Sequence, residues 1–398
     1  MNKLEIFERQ NSKIIGDLQN PTSENVIKEQ SDQKRTIQLK TDIRRQFTPE
    51  ILGTKLRGWY RPDALTGEVI NGVSGIFRWT NSAGSHMSGL DFVAGSTQAP
   101  IIGYDSDVGY TFGSGTAGSL AAVRLMQTET SGGDYDLGTD DFAIYMFVRS
   151  ANIASDVGTL FGTIRKRDYN ENGNPNLPDQ RYLDRFFEAR IGNVSDEGGG
   201  DTQRNTLSNK MHVSGAAIEF GDQTVGFDRM GVTPINMSEG YNILGWGRVN
   251  GLPFFSVNGN VCPKSDLVPA SIPGFGDPST LIKQLNLSSP QTEKSPERAC
   301  LFASVQENSS SLGTDIAFNG YEGKIYETVI FSAGSVSEQQ QLNELFATPS
   351  NADSADPETS LLSAGGFTQK IEGYLAHKFG KASLLPDGHP FKEAPPLV

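Results

Sequence analysis

Residues Lys370-IEGYLAHKFG-Lys381, followed by LLPDGHPF ending at Phe391, decide the architecture. Ile371, Tyr374, Leu375 and Phe379 recur at i, i+3, i+4 and i+8, which lines up one apolar stripe on a helix. Thr368 is placed to cap its start, Gly380 to take the left-handed position after its end, and Pro386 to stop any continuation. The spacing predicts a short helix that docks by one face, followed by an extended tail.

Upstream the period changes from 3.6 to 2. Lys324-IYETVIF puts Ile325, Glu327, Val329 and Phe331 on one face of a strand. Asp141-FAIYMFVRS puts Phe142, Ile144, Met146 and Val148 on one face, with Tyr145 and Phe147 on the other, so both faces are covered or face a concave surface. Tyr241-NILGWGRVNGLPFFSVNGNV reads as a meander, because Asn250-Gly251 and Asn258-Gly259 each supply the positive-φ pair of a type I′ turn. With 44 Gly, 20 Pro and only 36% hydrophobic residues, the chain is rich in turns and long polar loops. Arg165–Arg181, Gly192–Lys210 and Pro263–Arg298 read as such loops. Ser335 and Glu338 form a capping box that starts a helix running to Phe346. A Ser-, Asp- and Pro-rich insertion over 347–366 separates that helix from the terminal one.

The terminal wording, with the strand before it, resembles the C-terminal signature of concanavalin A-like (laminin-G-like, jelly-roll) domains found in phage virion proteins and large bacterial surface proteins. The resemblance is tight over 321–391 and loose over 55–398. Leu56-RGWYRPDAL resembles the family's opening strand, with Asp63 and Trp79 in the places of its acidic residue and second tryptophan. The resemblance implies an all-β jelly-roll β-sandwich over 53–398 with short C-terminal helices. It implies a structural or binding role rather than an enzyme.

Residues 1–52 differ in character from the rest of the chain. They hold nine Lys and Arg against eight Asp and Glu, whereas the whole chain carries −13. Their apolar residues come in small groups with no core periodicity, so this segment reads as an extended arm that orders against a partner, with a disordered tail as the alternative. Leu4, Ile6, Phe7, Ile51 and Leu52 are its expected anchoring residues. The acidic balance argues against nucleic acid and anionic membrane surfaces as partners. The start MNKLEIFERQ lacks the apolar core of a secretory signal, which predicts synthesis in a host cytoplasm. Cys262 and Cys300 are compatible with one disulfide by parity, but a cytoplasmic product keeps thiols reduced.

Chemistry-bearing patterns are sparse. Asp134, Asp136 and Asp140 form the better of two calcium-like loops, and Asp105-Ser-Asp107-Val-Gly109 the other. Asp and Gly are also ordinary turn residues. Glu327 stands alone on its strand, whereas glycosidase chemistry needs a carboxylate pair; its expected role is to tie down neighbouring chain. No catalytic residue or cofactor is expected. Gly113-Ser-Gly115-Thr-Ala-Gly118 lacks a βαβ context and reads as a loop. Trp79 and Trp246 are candidates for stacking on sugar rings. His377 is expected to be packed or hydrogen-bonded at the docking helix.

Together the residues and the resemblance predict a non-enzymatic phage virion component: capsid decoration, head fibre or tail-associated protein. Its arm would hold other virion proteins, the chain would be homo-oligomeric, and exposed loops would reach host-surface glycans. A carbohydrate-binding adhesion module is the alternative, and a glycan-degrading enzyme ranks behind both.

Overall fold

A computed structural model of the chain describes residues 46–70, 73–84, 90–94, 100–115, 126–128, 142–150, 158–168, 181–191, 211–216, 227–232, 237, 239–249, 252–263, 298–307, 315–318, 320–321, 323–332 and 367–397. The chain divides into two compact units, Met1–Phe47 with Pro396–Val398, and Thr48–Pro395. In the first, Gln46 bridges Leu397 and the Phe47 N–H donates to the Pro396 carbonyl at 2.9 Å.

The second unit is built from strands. In chain order they are β1 (Leu56–Ile70), β2 (Val73–Asn81), β3 (Phe92–Ala94), β4 (Ile101–Asp105), β5 (Tyr110–Ser114) and β6 (Met126–Thr128). Then come β7 (Phe142–Ser150), β8 (Gly158–Asp168), β9 (Arg181–Ile191), β10 (Met211–Ala216), β11 (Phe227–Val232) and β12 (Gly240–Val249). The last are β13 (Leu252–Val257), β14 (Asn260–Pro263), β15 (Arg298–Leu301), β16 (Ser304–Glu307), β17 (Asp315–Phe318) and β18 (Lys324–Ser332). The described α-helix is α1 (Phe367–Lys378), and short 3-10 turns occur at Pro49–Lys55 and Ala382–Leu384.

All strands but β16 and β17 join one ladder, in the order β11-β10-β9-β8-β15-β6-β3-β2-β4-β5-β18-β7-β12-β13-β14, with β1 pairing both β18 and β2. β1 does so because its register breaks between Tyr60 and Leu65. Leu56–Tyr60 pair with β18 and Leu65–Ile70 with β2. Pro62, which has no N–H to give a ladder, lies in the break. The pairs β1-β2, β2-β4, β4-β5, β5-β18 and β18-β1 thus close a circuit of five strands. The all-β expectation holds. The closure is barrel-like, so the described strands do not sort into two separate jelly-roll sheets.

β18 and β7 connect the closed circuit to the β12-β13-β14 meander. Phe142–Val148 and Ile325–Phe331 are buried on both faces, as continuous apolar strands covered on two sides should be. The meander forms as β12-β13-β14, and Asn258 and Gly259 take φ of 54° and 79°, the type I′ turn expected there. At Gly245 the Tyr145 ring lies against the opposite strand; a Cβ would meet it at 2.5 Å, so any larger residue has to displace the ring. β8 and β9 extend the sheet through residues that read as polar loop: Arg165–Asp168 pair with Arg181–Asp184. Cys300 is a buried thiol in β15, not half of a disulfide.

α1 lies against β7 and β12. Ile371, Leu375 and Phe379 are buried, the stripe the spacing predicts, and Phe379 stacks on Phe147 at 4.2 Å with 5° between planes. The helix begins at Phe367, so Thr368 lies inside the first turn instead of capping it. Its end is a Schellman motif. The Lys381 N–H donates to the Ala376 carbonyl at 2.7 Å and the Gly380 N–H to His377 at 3.2 Å, with Gly380 at φ 64°. His377 Nε2 sits 2.7 Å from the Phe391 carbonyl, holding the extended tail against the helix. The expected helix over Ser335–Phe346, the turn at Asn250-Gly251 and the insertion over 347–366 lie outside the described residues.

Candidate functional site

Among the described residues, three buried carboxylates organise the polar interior. Each is held by donors from different elements.

The first is Asp105, at the end of β4, with its side chain 4% exposed. Its Oδ2 accepts from the Tyr326 hydroxyl at 2.5 Å, Arg149 Nη1 at 2.9 Å and the Tyr241 hydroxyl at 3.1 Å, and Lys324 Nζ lies 3.5 Å away. Its Oδ1 accepts the backbone N–H of Asp107 at 3.1 Å, which shapes the β4-β5 turn. Burial opposes the charge, but the hydrogen bonds from Tyr326, Arg149, Asp107 and Tyr241 hold its pKa well below the usual carboxylate range. Burial and the bond to Asp105 push Tyr241 up to about 12, so its hydroxyl remains a donor.

Strand register sets up this cluster. Ser114, Lys324, Arg149 and Tyr241 are direct neighbours across β5, β18, β7 and β12, forming one row. The Arg149 guanidinium lies 4.9 Å from the centroid of the Tyr241 ring and Lys381 Nζ 4.4 Å from it. Phe147 stacks on Tyr241 at 5.7 Å and 19°, and the Tyr326 ring lies 6.0 Å away, tilted by 50°. Arg149 spends Nη1 on Asp105 and on the Tyr241 hydroxyl at 3.3 Å, leaving Nη2 and Nε without hydrogen bonds among the described residues. Tyr104, 67% exposed, is next to Asp105 in sequence but points off the row, since successive strand residues face opposite sides.

The second carboxylate is Glu327, fully buried. Its Oε1 accepts from Trp59 Nε1 at 2.7 Å and the Tyr374 hydroxyl at 2.8 Å, and its Oε2 pairs with Lys378. Burial and the Glu327 charge raise the Tyr374 hydroxyl far above an ordinary phenol. Glu327 therefore ties β1 and α1 to the sheet. The third is Glu372 of α1, which accepts from the Ser256 hydroxyl and faces His389 Nε2 at 3.2 Å. This contact pins the tail back onto the helix.

The sequence candidates fare differently. Trp79 and Trp246 have no exposed surface, so neither offers a ring face to a sugar. Trp79 Nε1 donates to the Arg61 carbonyl at 2.8 Å and its ring stacks toward Phe302; it is core. Asp105–Gly109 is a hairpin turn and not a calcium loop, because Arg149 and Lys324 occupy the space a cation would need. No His, Cys, Asp and Glu group suited to a metal occurs among the described residues. Asp134, Asp136 and Asp140 lie outside them, as do Leu4, Ile6 and Phe7. Ile51 is half exposed, whereas Leu52 is buried, and both belong to the Thr48–Pro395 unit rather than to the arm. Arg149, Tyr241, Lys324 and Lys381 lie at the ends of stretches read for their secondary structure and were not singled out as site residues. The only local signal was a cation closing one apolar strand (Arg149) and another opening the next (Lys324).

Comparison with known proteins yields no matching family model and no matching curated protein. Among solved structures, the chain is similar to the binding domain of Botulinum neurotoxin DC in complex with rat synaptotagmin II, with TM-score 0.30 and 10% identity over 68% of this chain and 48% of that one. It is also similar to Trypanosoma rangeli sialidase in complex with sialic acid, with TM-score 0.30 and 9% identity over 73% and 32%. A third is Domain 4 of AbnA, a GH43 extracellular arabinanase from Geobacillus stearothermophilus, in complex with arabinotriose, with TM-score 0.30 and 10% identity over 70% and 92%. The chain thus spans about half the length of the first of these. Likeness at these scores says nothing about chemistry.

Proposed function

We propose that this chain is a non-catalytic carbohydrate-binding β-domain used for attachment. The observation that carries the reading is the pairing of Arg149 with Tyr241. A guanidinium with unspent donors and a phenol hydroxyl stand side by side on adjacent strands, both partly exposed, both fixed from beneath by one buried carboxylate. Sugar hydroxyls are recognised by a few planar polar groups held rigidly on a scaffold, and this pair has that character. Asp105, Glu327 and Glu372 each have their oxygens engaged by donors of the fold, which supports a structural use of these carboxylates. The test is a glycan array with the full chain, followed by calorimetry on the hits. Retention of a defined saccharide, weakened about tenfold in Tyr241→Phe, the effect of losing one hydrogen bond in a bound complex, is the expected result. Absence of binding to every saccharide overturns the reading.

A virion-assembly role is the second reading, favoured by the contrast between residues 1–52 and the acidic remainder and by the strand-like bridge from Gln46 to Leu397. Because Leu52 is buried in the Thr48–Pro395 unit, the arm is best removed at Thr48. The shortened chain should fold normally but fail to join intact particles. Full occupancy of particles by the shortened chain would dismiss an anchoring arm.

A further inference from the structure

Lys324 and Arg149 face each other directly across β18 and β7. Like charges in that position repel and weaken a sheet. One buried carboxylate compensates them: Asp105 Oδ2 lies 2.9 Å from Arg149 and 3.5 Å from Lys324. The exposed Asp107 adds a looser contact with Arg149 at 3.7 Å. Lys381, whose Nζ lies 4.4 Å from the centroid of the Tyr241 ring, is a third cation and makes no ion pair among the described residues. The nearby Lys378 is already matched by Glu327. Three cations therefore share two carboxylates on a small patch of a chain whose net charge is −13. His377 and Lys378 already supply the positive charge that the end of α1 favours, so the helix dipole does not call for Lys381.

We propose that Arg149, Lys324 and Lys381, gathered around Tyr241, form a subsite for an oxyanion carried by a saccharide, a sugar carboxylate or a sulfate ester. This rests on the carbohydrate-binding reading above and names the class of sugar. Arg149 offers Nη2 and Nε as a planar fork suited to two oxygens of one anion. Lys381 is held beside the ring by the Schellman turn, so its backbone is set before ligand arrives. The Tyr241 hydroxyl stays protonated and gives its hydrogen to Asp105, which fixes the ring that Arg149 and Lys381 both approach. The bound anion would relieve the repulsion between Lys324 and Arg149, which Asp105 alone only partly cancels.

The test is calorimetry on the full chain with three oligosaccharides of one backbone and length: neutral, glucuronate-bearing and sulfate-bearing. At least one acidic form should bind about tenfold or more tightly than the neutral form, as charge-assisted hydrogen bonds require. The preference should shrink between about 0.05 M and 0.5 M salt. Lys381→Glu should abolish it with only a small fall in melting temperature, because Lys381 makes no ion pair among the described residues and gives up one contact with the Tyr241 ring. The stronger acidic arm identifies the anion as carboxylate or sulfate. Equal binding of neutral and acidic forms, untouched by Lys381→Glu, overturns the anion subsite and leaves the carbohydrate reading standing. Binding of none of the three, together with a blank array, overturns both.

Discussion

Tyr326 and Glu327 are neighbours in sequence, yet both turn toward the same helix. The Tyr326 ring lies 5.9 Å from Phe379, and Glu327 accepts from Tyr374 at 2.8 Å. An unbroken strand would send them to opposite faces. A bulge between β18 and β7 accounts for it: Ile325 pairs with Val148 and Glu327 with Phe147, leaving Tyr326 as the extra residue. One inserted residue thereby serves two buried carboxylates, its own hydroxyl going to Asp105 and its neighbour receiving Trp59, Tyr374 and Lys378.

Replacing Glu327 by Gln keeps the shape and removes the charge. Lys378 then loses its partner, and breaking a buried pair from one side costs about 3 kcal/mol. Denaturant unfolding should register that loss at constant m-value. Trp59 is the tryptophan whose Nε1 donates to Glu327, so its emission should shift as well. A variant as stable as the parent would dismiss Glu327 as the tie between β1 and α1.

Asp105 predicts the shape of the acid limb. Its folded pKa lies below the unfolded value, so the unfolded chain binds the proton more readily. Its contribution is complete above about pH 4, the ordinary carboxylate value, and fades as pH falls further toward the folded pKa. Asp105→Asn should lower stability at neutral pH by about 1–3 kcal/mol, the cost of poorly satisfied buried donors. The deficit against the parent should narrow below about pH 4. A deficit independent of pH would refute the charged role.

Gly245→Ala places a methyl where the Tyr145 ring already lies, 2.5 Å from its nearest carbon. Overpacking of this kind costs about 1–3 kcal/mol. The melting temperature should drop, whereas Tyr145→Leu in the same background should recover part of the loss by vacating the space.

All three tryptophans, Trp59, Trp79 and Trp246, are buried. Iodide should quench native fluorescence weakly, and saturating sugar should leave that accessibility unchanged. Strong quenching relieved by sugar would restore tryptophan stacking as the mode of recognition.

Much of the frame was legible from the chain alone. The i, i+3, i+4, i+8 stripe of Ile371, Tyr374, Leu375 and Phe379 foretold the docking helix. Gly380 foretold its end and Asn258-Gly259 the hairpin. The apolar residues on both faces of 142–150 foretold a covered strand, and the alternation from Ile325 to Phe331 foretold another strand. These features are local, because backbone geometry repeats within a turn or a pleat and leaves its period in the sequence.

The site was of another kind. Asp105 stood as either a turn residue or the weaker of two calcium candidates, Trp79 and Trp246 as either core or ring faces for sugar, and Ile325 with Glu327 as one regular face. Which way each of these side chains turns depends on pairing between strands far apart in the chain. Asp105, Arg149, Tyr241 and Lys324 come together because β4, β7, β12 and β18 share one ladder in a particular register, with a bulge at Tyr326. A shift of one residue would send each side chain to the opposite face. Periodicity is carried by every strand on its own, but register belongs to the pair, and only tertiary structure could decide it.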